Sequence, residues 1–269
     1  MSKDKVAVVT GVSSGIGRST ALGLAAAGFR VFGTVRKASV ELPKEIEKVV
    51  LDVRDQASVD SGIAEVKQKA GRVDVLVNNA GLSLLGAIEE CDIEQAQALF
   101  DVNFFGVARV TRAVLPMMRA QGSGRVLMVS SVVGFIPAPF LGYYGASKHA
   151  LEGYSESLDH EVRGFGVRVV LIEPGFMKTK IDDNSAQAAK PIDAYAAVRE
   201  RMTAGVTTAI ENGDDPAMVA TAIVQVASVA QPKRRYTVGK GTGALATLRS
   251  FMPAGMFDKS LRSQFKLDA

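Results

Sequence analysis

Short runs of β-branched and other apolar residues alternate along the chain with longer segments in which apolar residues recur every three or four positions. Continuous apolar runs such as Val6-Ala7-Val8-Val9 are typical of strands buried on both faces of a parallel sheet. Because helical segments separate the runs, the pattern predicts an α/β fold with a doubly wound, mostly parallel seven-stranded sheet and helices on both faces. The predicted strands are Val6–Thr10, Arg30–Val35, Lys48–Val53, Val73–Asn78, Arg125–Ser130, Val167–Glu173 and Arg235–Val238.

The longest helical segment carries one apolar face with a single polar member, Asn103. A buried amide needs hydrogen-bond partners, so Asn103 favours a polar site here over core filler, with a satisfied core amide as the alternative. The residues assigned to this face recur at steps of three and four and are Ala96, Phe100, Asn103, Val107, Val110, Val114 and Met117.

Two segments do not fit the alternation of strands and helices. Residues 177–201 are rich in Ala, Lys and Asp and are predicted to form a substrate loop, with a solvated helical excursion as the alternative. Residues 240–269 form a C-terminal extension with recurring apolar residues. Core or interface packing, cover over a substrate entrance and contact with a membrane surface are all open for this extension. No linker sets either segment apart, so one domain over residues 1–269 is expected.

Composition and charge narrow the classes of function. Hydrophobic residues make up 47% of the 269 residues and the net charge is only +4, which suits a soluble globular protein with a sizeable core. The basic cluster Lys233-Arg234-Arg235 is too short for a nucleic-acid-binding face, so no nucleic-acid partner is expected. One cysteine, Cys91, excludes an intramolecular disulfide, and with only two histidines a zinc site is not expected. No apolar run has the length of a signal peptide core or a membrane span, which predicts a cytoplasmic protein without an integral membrane segment.

A glycine-rich turn joins the first predicted strand to a helix that runs to about Ala27. Glycines allow the backbone to turn sharply and approach a pyrophosphate, while a helix N-terminus offers free N–H groups and the positive end of its dipole. The spacing G-x-x-x-G-x-G differs from the usual G-x-G-x-x-G, but its position at the first βα crossover predicts a dinucleotide site. The turn is Thr10-Gly11-Val12-Ser13-Ser14-Gly15-Ile16-Gly17.

The second predicted strand ends in Thr34-Val35-Arg36-Lys37 and carries no acid. A NAD-binding chain usually offers an acid here to the adenosine ribose hydroxyls, whereas an arginine can pair with the 2′-phosphate of NADP. Arg36 therefore favours NADP(H) as cofactor, with NAD(H) as the alternative. If Arg36 and Lys37 are only solvated turn residues, the acid is still missing.

Tyr144 and Lys148 stand four residues apart at the start of a predicted helix, so their side chains project from one face. A nearby ammonium favours the phenolate, which is expected to bring the tyrosine pKa down from about 10 toward a working range. Ser131 follows the fifth predicted strand, where strand ends present groups to a binding crevice. Each residue has a mundane explanation alone, but their order and context predict a catalytic site.

With these motifs in order, residues Lys5 to Thr179 resemble the compact branch of the short-chain dehydrogenase/reductase family. The second strand and the long extension also resemble its hydroxysteroid and retinol dehydrogenase subgroup. The resemblance implies a single Rossmann-type domain and a homodimer or homotetramer. The motifs that carry it are Thr10–Gly17, Asp52, Asn78-Asn79-Ala80-Gly81, Asn103, Ser131, Tyr144-Gly145-Ala146-Ser147-Lys148, Pro174-Gly175 and Thr179.

The resemblance implies a role for each of four residues. Tyr144 is the general acid or base on the substrate oxygen, and Ser131 holds the same oxygen. Ser131 lies thirteen residues ahead of Tyr144, which matches the family better than Ser130. Lys148 binds the nicotinamide ribose and lowers the tyrosine pKa, and Asn103 orders a water that links the lysine to solvent.

The family pattern also implies a set of cofactor contacts. Asp52 is expected at the adenine, Asn79 at the adenosine side and Thr179 at the nicotinamide carboxamide. Ser13 stands where many NADP-binding members have a basic residue, which leaves Arg36 as the principal candidate for the 2′-phosphate. The expected cofactor-binding residues are Gly11, Ser13, Ser14, Gly15, Ile16, Gly17, Arg36, Asp52, Val53, Asn79, Ala80, Gly81, Tyr144, Lys148, Pro174, Gly175 and Thr179.

The segment Val132–Gly142 lies between two of the catalytic candidates and is largely apolar. An apolar wall favours a hydrophobic ketone, aldehyde or alcohol, including a steroid- or retinoid-like one, unless these side chains only pack the loop. An NADPH-binding sensor without turnover and a 3-oxoacyl-thioester reductase are the rivals, separated from the main hypothesis by turnover and by the substrate accepted. A dehydratase or epimerase relative usually has a longer chain and a different glycine spacing.

Overall fold

The computed structural model describes residues 5–179 and 186–265. Its strands are β1 (Val6–Val9), β2 (Arg30–Val35), β3 (Ile46–Val50), β4 (Val75–Asn78), β5 (Leu84–Leu85), β6 (Gly124–Val129), β7 (Val167–Pro174), β8 (Ala186–Gln187) and β9 (Arg235–Val238). Seven of them form one parallel sheet in the order β3-β2-β1-β4-β6-β7-β9. The predicted seven-stranded sheet is confirmed, and the reversal of strand order beside β1 creates a crevice at the carboxyl ends of the central strands.

Several predicted strand ends were wrong by one to three residues. Thr10 and Ser130 lie just beyond β1 and β6, and β4 begins at Val75 rather than at Val73. The largest shift is in β3, which was predicted as Lys48–Val53. Strand β3 ends at Val50 because that residue pairs with Val35, where the neighbouring strand β2 also ends.

The helices are α1 (Gly15–Ala26), α2 (Gln56–Ala70), α3 (Ile93–Phe100), α4 (Val107–Gln121), α5 (Gly142–Val162), α6 (Ala196–Glu211), α7 (Pro216–Ser228), α8 (Thr242–Phe251) and α9 (Ala254–Gln264). The side chains of each strand alternate between two cores. Val8 and Phe32 pack in a core that includes residues of α2, α4 and α5, while Val9 and Val31 pack in one that includes residues of α1 and α7. Helices therefore cover both faces of the sheet, as predicted.

The predicted long helix is interrupted by a π-helical turn at Asp101–Gly106, between α3 and α4. A π turn holds more residues per turn than an α-helix, so the apolar face does not continue in one register through it. One member of the predicted face was wrong: Phe100 is partly exposed, and Leu99 is buried in its place. Met117 packs against the core as predicted, although the neighbouring Met118 is more deeply buried.

The two irregular segments contain regular structure. The predicted loop 177–201 includes β8, which pairs in parallel with β5, and the first residues of α6. The extension beyond residue 239 forms α8 and α9, with Phe257 buried and Phe251 and Met256 exposed. Predictions for residues 1–4, 180–185 and 266–269 lie outside the described residues. Among the helices that are described, none has the length and apolar character needed to span a bilayer.

Candidate active site

The glycine-rich turn closes tightly over the end of the sheet. Gly11 has a φ of +71°, a conformation that residues with a side chain rarely adopt. A Cβ at Gly17 would lie 2.3 Å from the Gly11 carbonyl oxygen and 2.4 Å from Asn79 Nδ2, so only glycine fits there. The glycine pattern therefore reflects a backbone that approaches its surroundings too closely for any side chain.

Thr10 and Asn79 tie this turn to the neighbouring strand β4. The Thr10 hydroxyl oxygen accepts hydrogen bonds from the backbone N–H groups of Asn79 and Ala80, at 2.9 and 3.0 Å. In return, Asn79 Nδ2 donates to the carbonyl oxygens of Thr10 and Gly11, at 2.9 and 3.1 Å. The loops after β1 and β4 are thereby fixed against each other on one side of the crevice.

The N-terminus of α1 faces the crevice with free donors. Its N-cap residue, Ser14, has an extended backbone and makes no side-chain capping hydrogen bond, and the first turn of α1 carries no acid. The first N–H groups of a helix need an external acceptor, and the helix dipole favours an anion. Together with the close-packed glycine turn that precedes it, this helix N-terminus fits the pyrophosphate of a dinucleotide.

At one end of the crevice, Arg36 and Asp52 follow β2 and β3. Arg36 is exposed, and within residues 5–179 and 186–265 its guanidinium makes no hydrogen bond or ion pair with the protein. Asp52 instead binds Arg54, whose Nη2 donates to Asp52 Oδ2 at 2.6 Å. Hydrogen bonding from Arg54 holds the pKa of Asp52 below its ordinary value, against the effect of burial and aided by the charge of Arg36. Arg54 also lines the crevice, but the sequence analysis did not predict it as a site residue. The signal that could have identified it is its position two residues after the predicted cofactor residue Asp52.

At the other end, Ser131, Tyr144 and Lys148 line the same crevice. Ser131 is the N-cap of a 3₁₀ turn at Val132–Gly134 that directly follows β6. Tyr144 and Lys148 lie in the first two turns of α5, where their spacing of four residues puts them on one face. The ammonium of Lys148 is buried and donates to the carbonyl oxygen of Val129 at 2.9 Å.

Burial controls the ionisation of both groups. It raises the pKa of the Tyr144 phenol, and a hydrogen bond with Ser131 partly opposes that rise. Burial also lowers the pKa of Lys148 to about 8, with the charge of Glu152 acting in the opposite direction. The sequence analysis expected Lys148 to lower the pKa of Tyr144. In the structure burial raises the pKa of the phenol and only the hydrogen bond with Ser131 opposes the rise, so Tyr144 keeps its proton at neutral pH.

Asn103 lies in the π-helical turn, behind the wall of the crevice, and is only 1% exposed. Its Oδ1 accepts from the Leu82 N–H at 2.8 Å, and its Nδ2 donates to the Leu82 carbonyl and to Ser147 Oγ, each at 3.0 Å. Ser147 Oγ in turn donates to the Tyr144 carbonyl at 2.7 Å. Asn103 thus joins the loop after β4 to the helix that carries Tyr144.

The wall beside Tyr144 is mainly apolar. Val132, Val133 and Leu141 from the predicted apolar segment line it, whereas Phe140 packs edge-on against Tyr195. Sequence reasoning missed other wall residues, which come from distant parts of the chain. They are Leu82, Phe176, Val206 and Ile210. Met177, the first residue of the predicted substrate loop 177–201, also lines the crevice.

All seventeen residues expected at the cofactor line this one crevice, and so do three of the four catalytic candidates. Asn103 is the exception, one layer behind. Thr179 sits beside the glycine-rich turn, since a Cβ on Gly15 would lie 3.4 Å from its side chain. The sequence-predicted residues are therefore brought together, from the free Arg36 at one end to Tyr144 at the other.

Comparisons with known proteins agree with this architecture. Residues 5–190 match the family model described as short chain dehydrogenase. A 3-ketodihydrosphingosine reductase from Bacteroides thetaiotaomicron is 35% identical over 96% of this chain and 97% of the relative. An NADPH-dependent 3-dehydrocapnine reductase from Ornithobacterium rhinotracheale is 32% identical over 97% of this chain and 98% of the relative. The structure of a short-chain dehydrogenase from Streptomyces avermitilis matches with a TM-score of 0.84 at 35% identity, covering 98% of this chain and 99% of that one.

Proposed function

This chain belongs to the short-chain dehydrogenase/reductase family of oxidoreductases, and we propose that it is an NADPH-dependent reductase of a ketone or aldehyde on an apolar molecule. The observation that carries the proposal is one crevice with Ser131, Tyr144 and Lys148 at one end and Arg36 at the other. The family and the site both point to a carbonyl/alcohol reaction.

Each catalytic candidate has a role that its position supports. When bound, the nicotinamide supplies the hydride. Tyr144 donates its phenolic proton to the substrate carbonyl oxygen, and Ser131, hydrogen-bonded to Tyr144, orients that oxygen. Lys148 holds a positive charge beside Tyr144, and Asn103 fixes the loop and helix between which these groups lie.

The ionisation of Tyr144 supports reduction as the working direction near neutral pH. A general acid must carry its proton before the reaction begins. Because burial raises the pKa of the Tyr144 phenol, the proton is in place at neutrality. Oxidation of an alcohol needs the phenolate, so we expect it to require higher pH.

The free guanidinium of Arg36 supports NADPH over NADH. It follows β2, where an acid would repel a 2′-phosphate, and it has no hydrogen bond or ion pair with the rest of the described chain. The printed name of the Ornithobacterium rhinotracheale relative is that of an NADPH-dependent enzyme. A charge-assisted pair between Arg36 and the 2′-phosphate provides the discrimination.

The walls near Tyr144 support a substrate with a long apolar chain. Val133, Leu141, Val206 and Ile210 offer it aliphatic surface, and in the described residues the only charged side chain at that end is Lys148. Two relatives carry names of reductases for 3-keto or 3-dehydro compounds. We therefore place a 3-oxo group on a long alkyl chain first among substrates, ahead of a small sugar or a charged acid.

Titration of the purified protein with NADPH and NADH, followed by absorbance decay at 340 nm, tests the proposal. The substrate panel contains a long-chain 3-ketone, an apolar aldehyde, a steroid ketone and a β-keto thioester. Tighter NADPH binding and turnover of the long-chain ketone are expected. Turnover of the thioester alone would identify a 3-oxoacyl reductase, and tight NADPH binding without turnover on any compound would favour a sensor.

A further inference from the structure

Two buried carboxylates and one arginine form an ion-pair group near the strand end that precedes Ser131, and the proposed reaction does not use this group. Glu152 on α5 is 4% exposed and Glu173 on β7 is 1% exposed. Arg235 on β9 binds both, donating to Glu152 Oε2 at 2.5 Å and also to Glu173 Oε1. Burying a carboxylate costs free energy unless it is paired with a cation. Arg235 therefore compensates the burial of both glutamates.

Besides its ion pair with Arg235, Glu152 also binds Ser130, the residue that precedes Ser131. Its Oε1 accepts a hydrogen bond of 2.8 Å from the buried hydroxyl of Ser130. Since Ser130 and Arg235 donate to different oxygens, Glu152 is held as an acceptor-only carboxylate.

Lys148 and Glu152 form hydrogen bonds with two consecutive residues at the carboxyl end of β6. Lys148 donates to the carbonyl oxygen of Val129, and Glu152 accepts from the hydroxyl of Ser130. The two side chains are one helical turn apart on α5, so they are neighbours on its surface. Ser131, the next residue, begins the 3₁₀ turn that lines the crevice.

The turn after Ser131 is shaped around this contact. A Cβ on Gly134 would lie 2.1 Å from Glu152 Oε1 and 2.6 Å from Ser130 Oγ. Gly134 N–H also donates to the Ser131 carbonyl oxygen at 2.9 Å. The carboxylate is thus enclosed by both ends of the short segment that presents Ser131.

The charges around Glu152 come from several elements. On α5 they are Lys148 and the more exposed Glu156, which binds Arg235 at 2.9 Å, and the neutral, titratable Tyr144 lies one turn before Lys148. Strand β7 contributes Glu173 and β9 contributes Arg235. Burial and the charge of Glu152 raise the pKa of Glu173 to about 7, although Arg235 opposes this. Glu152 is thus the carboxylate that binds Ser130 and also lies one helical turn from Lys148.

We propose that Glu152 is a positioning residue: it anchors the strand end that presents Ser131 through Ser130, and it places a fixed negative charge beside Lys148. Its side chain does not line the crevice. The effects expected on kcat and kcat/KM rest on the proposed reductase function. The contacts of Glu152 do not depend on which substrate is reduced.

The variant Glu152→Gln keeps the size and an acceptor for Ser130 but removes the charge. Loss of a nearby anion makes the Lys148 ammonium release its proton more easily, because the anion stabilises the protonated form. We expect the alkaline limb of kcat/KM for ketone reduction, near pH 8 in the parent protein, to move about half a pH unit or more toward lower pH. Glu156→Gln is the matched control: it removes a carboxylate from the same helix and the same arginine, and its limb should stay in place.

A second variant, Ser130→Ala, keeps the charge and removes the anchor. We expect a fall in kcat of about tenfold with NADPH affinity and the pH limb unchanged, since the loss of one hydrogen bond of about 1 kcal/mol loosens Ser131. An unmoved limb in a folded Glu152→Gln protein overturns the electrostatic part, and an unchanged kcat in Ser130→Ala overturns the anchoring part. Thermal unfolding of each variant separates these results from simple loss of stability.

Failure of the proposed function gives a different result. If the parent protein binds NADPH but reduces nothing, the reductase assignment fails. The pH dependence of NADPH affinity, followed by cofactor fluorescence, then reports the same ionisation of Lys148 beside the nicotinamide ribose. The midpoint should again be lower in Glu152→Gln than in the parent and in Glu156→Gln, and equal midpoints in all three proteins overturn the inference.

Discussion

The ammonium nitrogen of Lys148 lies 5.8 Å from the centre of the Tyr144 ring. The lysine does not reach toward solvent: its hydrogen bond to the Val129 carbonyl holds it beneath the tyrosine. Tyr143, the preceding residue, packs against the same cluster of Leu84, Cys91 and Leu99 as Tyr144 does, but it does not line the crevice. One tyrosine of the adjacent pair therefore shares the crevice with the buried cation and the other does not.

This difference predicts that Tyr144→Phe abolishes turnover and spares cofactor binding. Loss of a general acid typically costs about a hundredfold to ten-thousandfold in rate, so kcat should fall by that order. NADPH affinity should stay within about threefold of the parent value, because one buried hydroxyl is worth about 1 kcal/mol or less in binding. Steady-state kinetics and fluorescence titration measure the two quantities.

Tyr143→Phe is the matched control for this experiment. It removes the same hydroxyl from the neighbouring residue, outside the crevice, and we expect near-normal kcat. Comparable turnover in the two variants would remove Tyr144 as the acid.

Arg36 is predicted to discriminate between the two nicotinamide dinucleotides. In Arg36→Ala the 2′-phosphate loses a charge-assisted partner worth about 1.5–3 kcal/mol, which weakens NADPH about tenfold to a hundredfold and leaves NADH almost unchanged. Isothermal titration with both cofactors measures the ratio. Lys37→Ala is the control, because Lys37 is equally exposed and next in the chain but does not line the crevice. Equal losses for NADPH and NADH in Arg36→Ala would exclude Arg36 as the phosphate partner.

Gly17→Ala is predicted to damage both the fold and the cofactor turn. The new Cβ would overlap the Gly11 carbonyl oxygen and the Asn79 amide, and relief of such overpacking costs about 1–3 kcal/mol of unfolding free energy. Dinucleotide affinity should fall as well, since the same atoms fix the turn.

The control for Gly17 is Gly153→Ala, in the middle of α5. No heavy atom stands within 4 Å of a Cβ there, and helix propensity should raise stability by up to about 1 kcal/mol. Urea unfolding with and without NADPH measures both effects. A Gly17→Ala protein as stable and as tight in binding as the parent would contradict the steric argument.

The sheet and the cofactor end of the site were predictable because their signals are local. Buried parallel strands appear as apolar runs, and Gly11, Gly15 and Gly17 follow the first one directly. The same holds for Tyr144 and Lys148, whose separation of four residues has a direct meaning in a helix. Their meeting with Ser131 follows from the rule that parallel strands bring their carboxyl ends to one edge.

The features that the sequence did not predict depend mainly on contacts between residues that are far apart in the chain. A π turn has no simple periodicity, so the position just before it was misplaced by one residue, from Leu99 to Phe100. Ser130 and Ser131 look alike in sequence, but in the structure Ser130 is buried against Glu152, whereas Ser131 makes a hydrogen bond with Tyr144. The structure of residues 186–201 is set by partners about a hundred positions away, which no local pattern records.

The strongest of those distant partners is Glu90, whose carboxylate is fully buried. It forms an ion pair with Arg199 on α6 and accepts a hydrogen bond of 2.8 Å from the Ile192 N–H. Both contacts hold the second half of the predicted substrate loop against the body of the domain. Further along α6, Val206 and Ile210 line the same crevice as Tyr144.

Arg199→Met is therefore predicted to affect stability and substrate binding together. Removing one partner of a buried ion pair costs about 3–5 kcal/mol, because the remaining charge is left uncompensated. As α6 loosens, KM for an apolar ketone should rise by more than NADPH affinity falls, since Arg36 and the glycine-rich turn contact neither Glu90 nor Arg199. Chemical denaturation and a comparison of KM with the NADPH dissociation constant measure these effects.

Lys190→Met tests whether the burial of the ion pair is the reason for the effects expected of Arg199→Met. Lys190 pairs with Asp92 at 2.7 Å in the same segment, but its side chain is 75% exposed, and water already solvates both charges well. Stability and KM should therefore stay close to the parent values. If Lys190→Met proves as harmful as Arg199→Met, segment 186–199 is held by its charges in general, and the buried Glu90 has no special place in shaping the substrate wall.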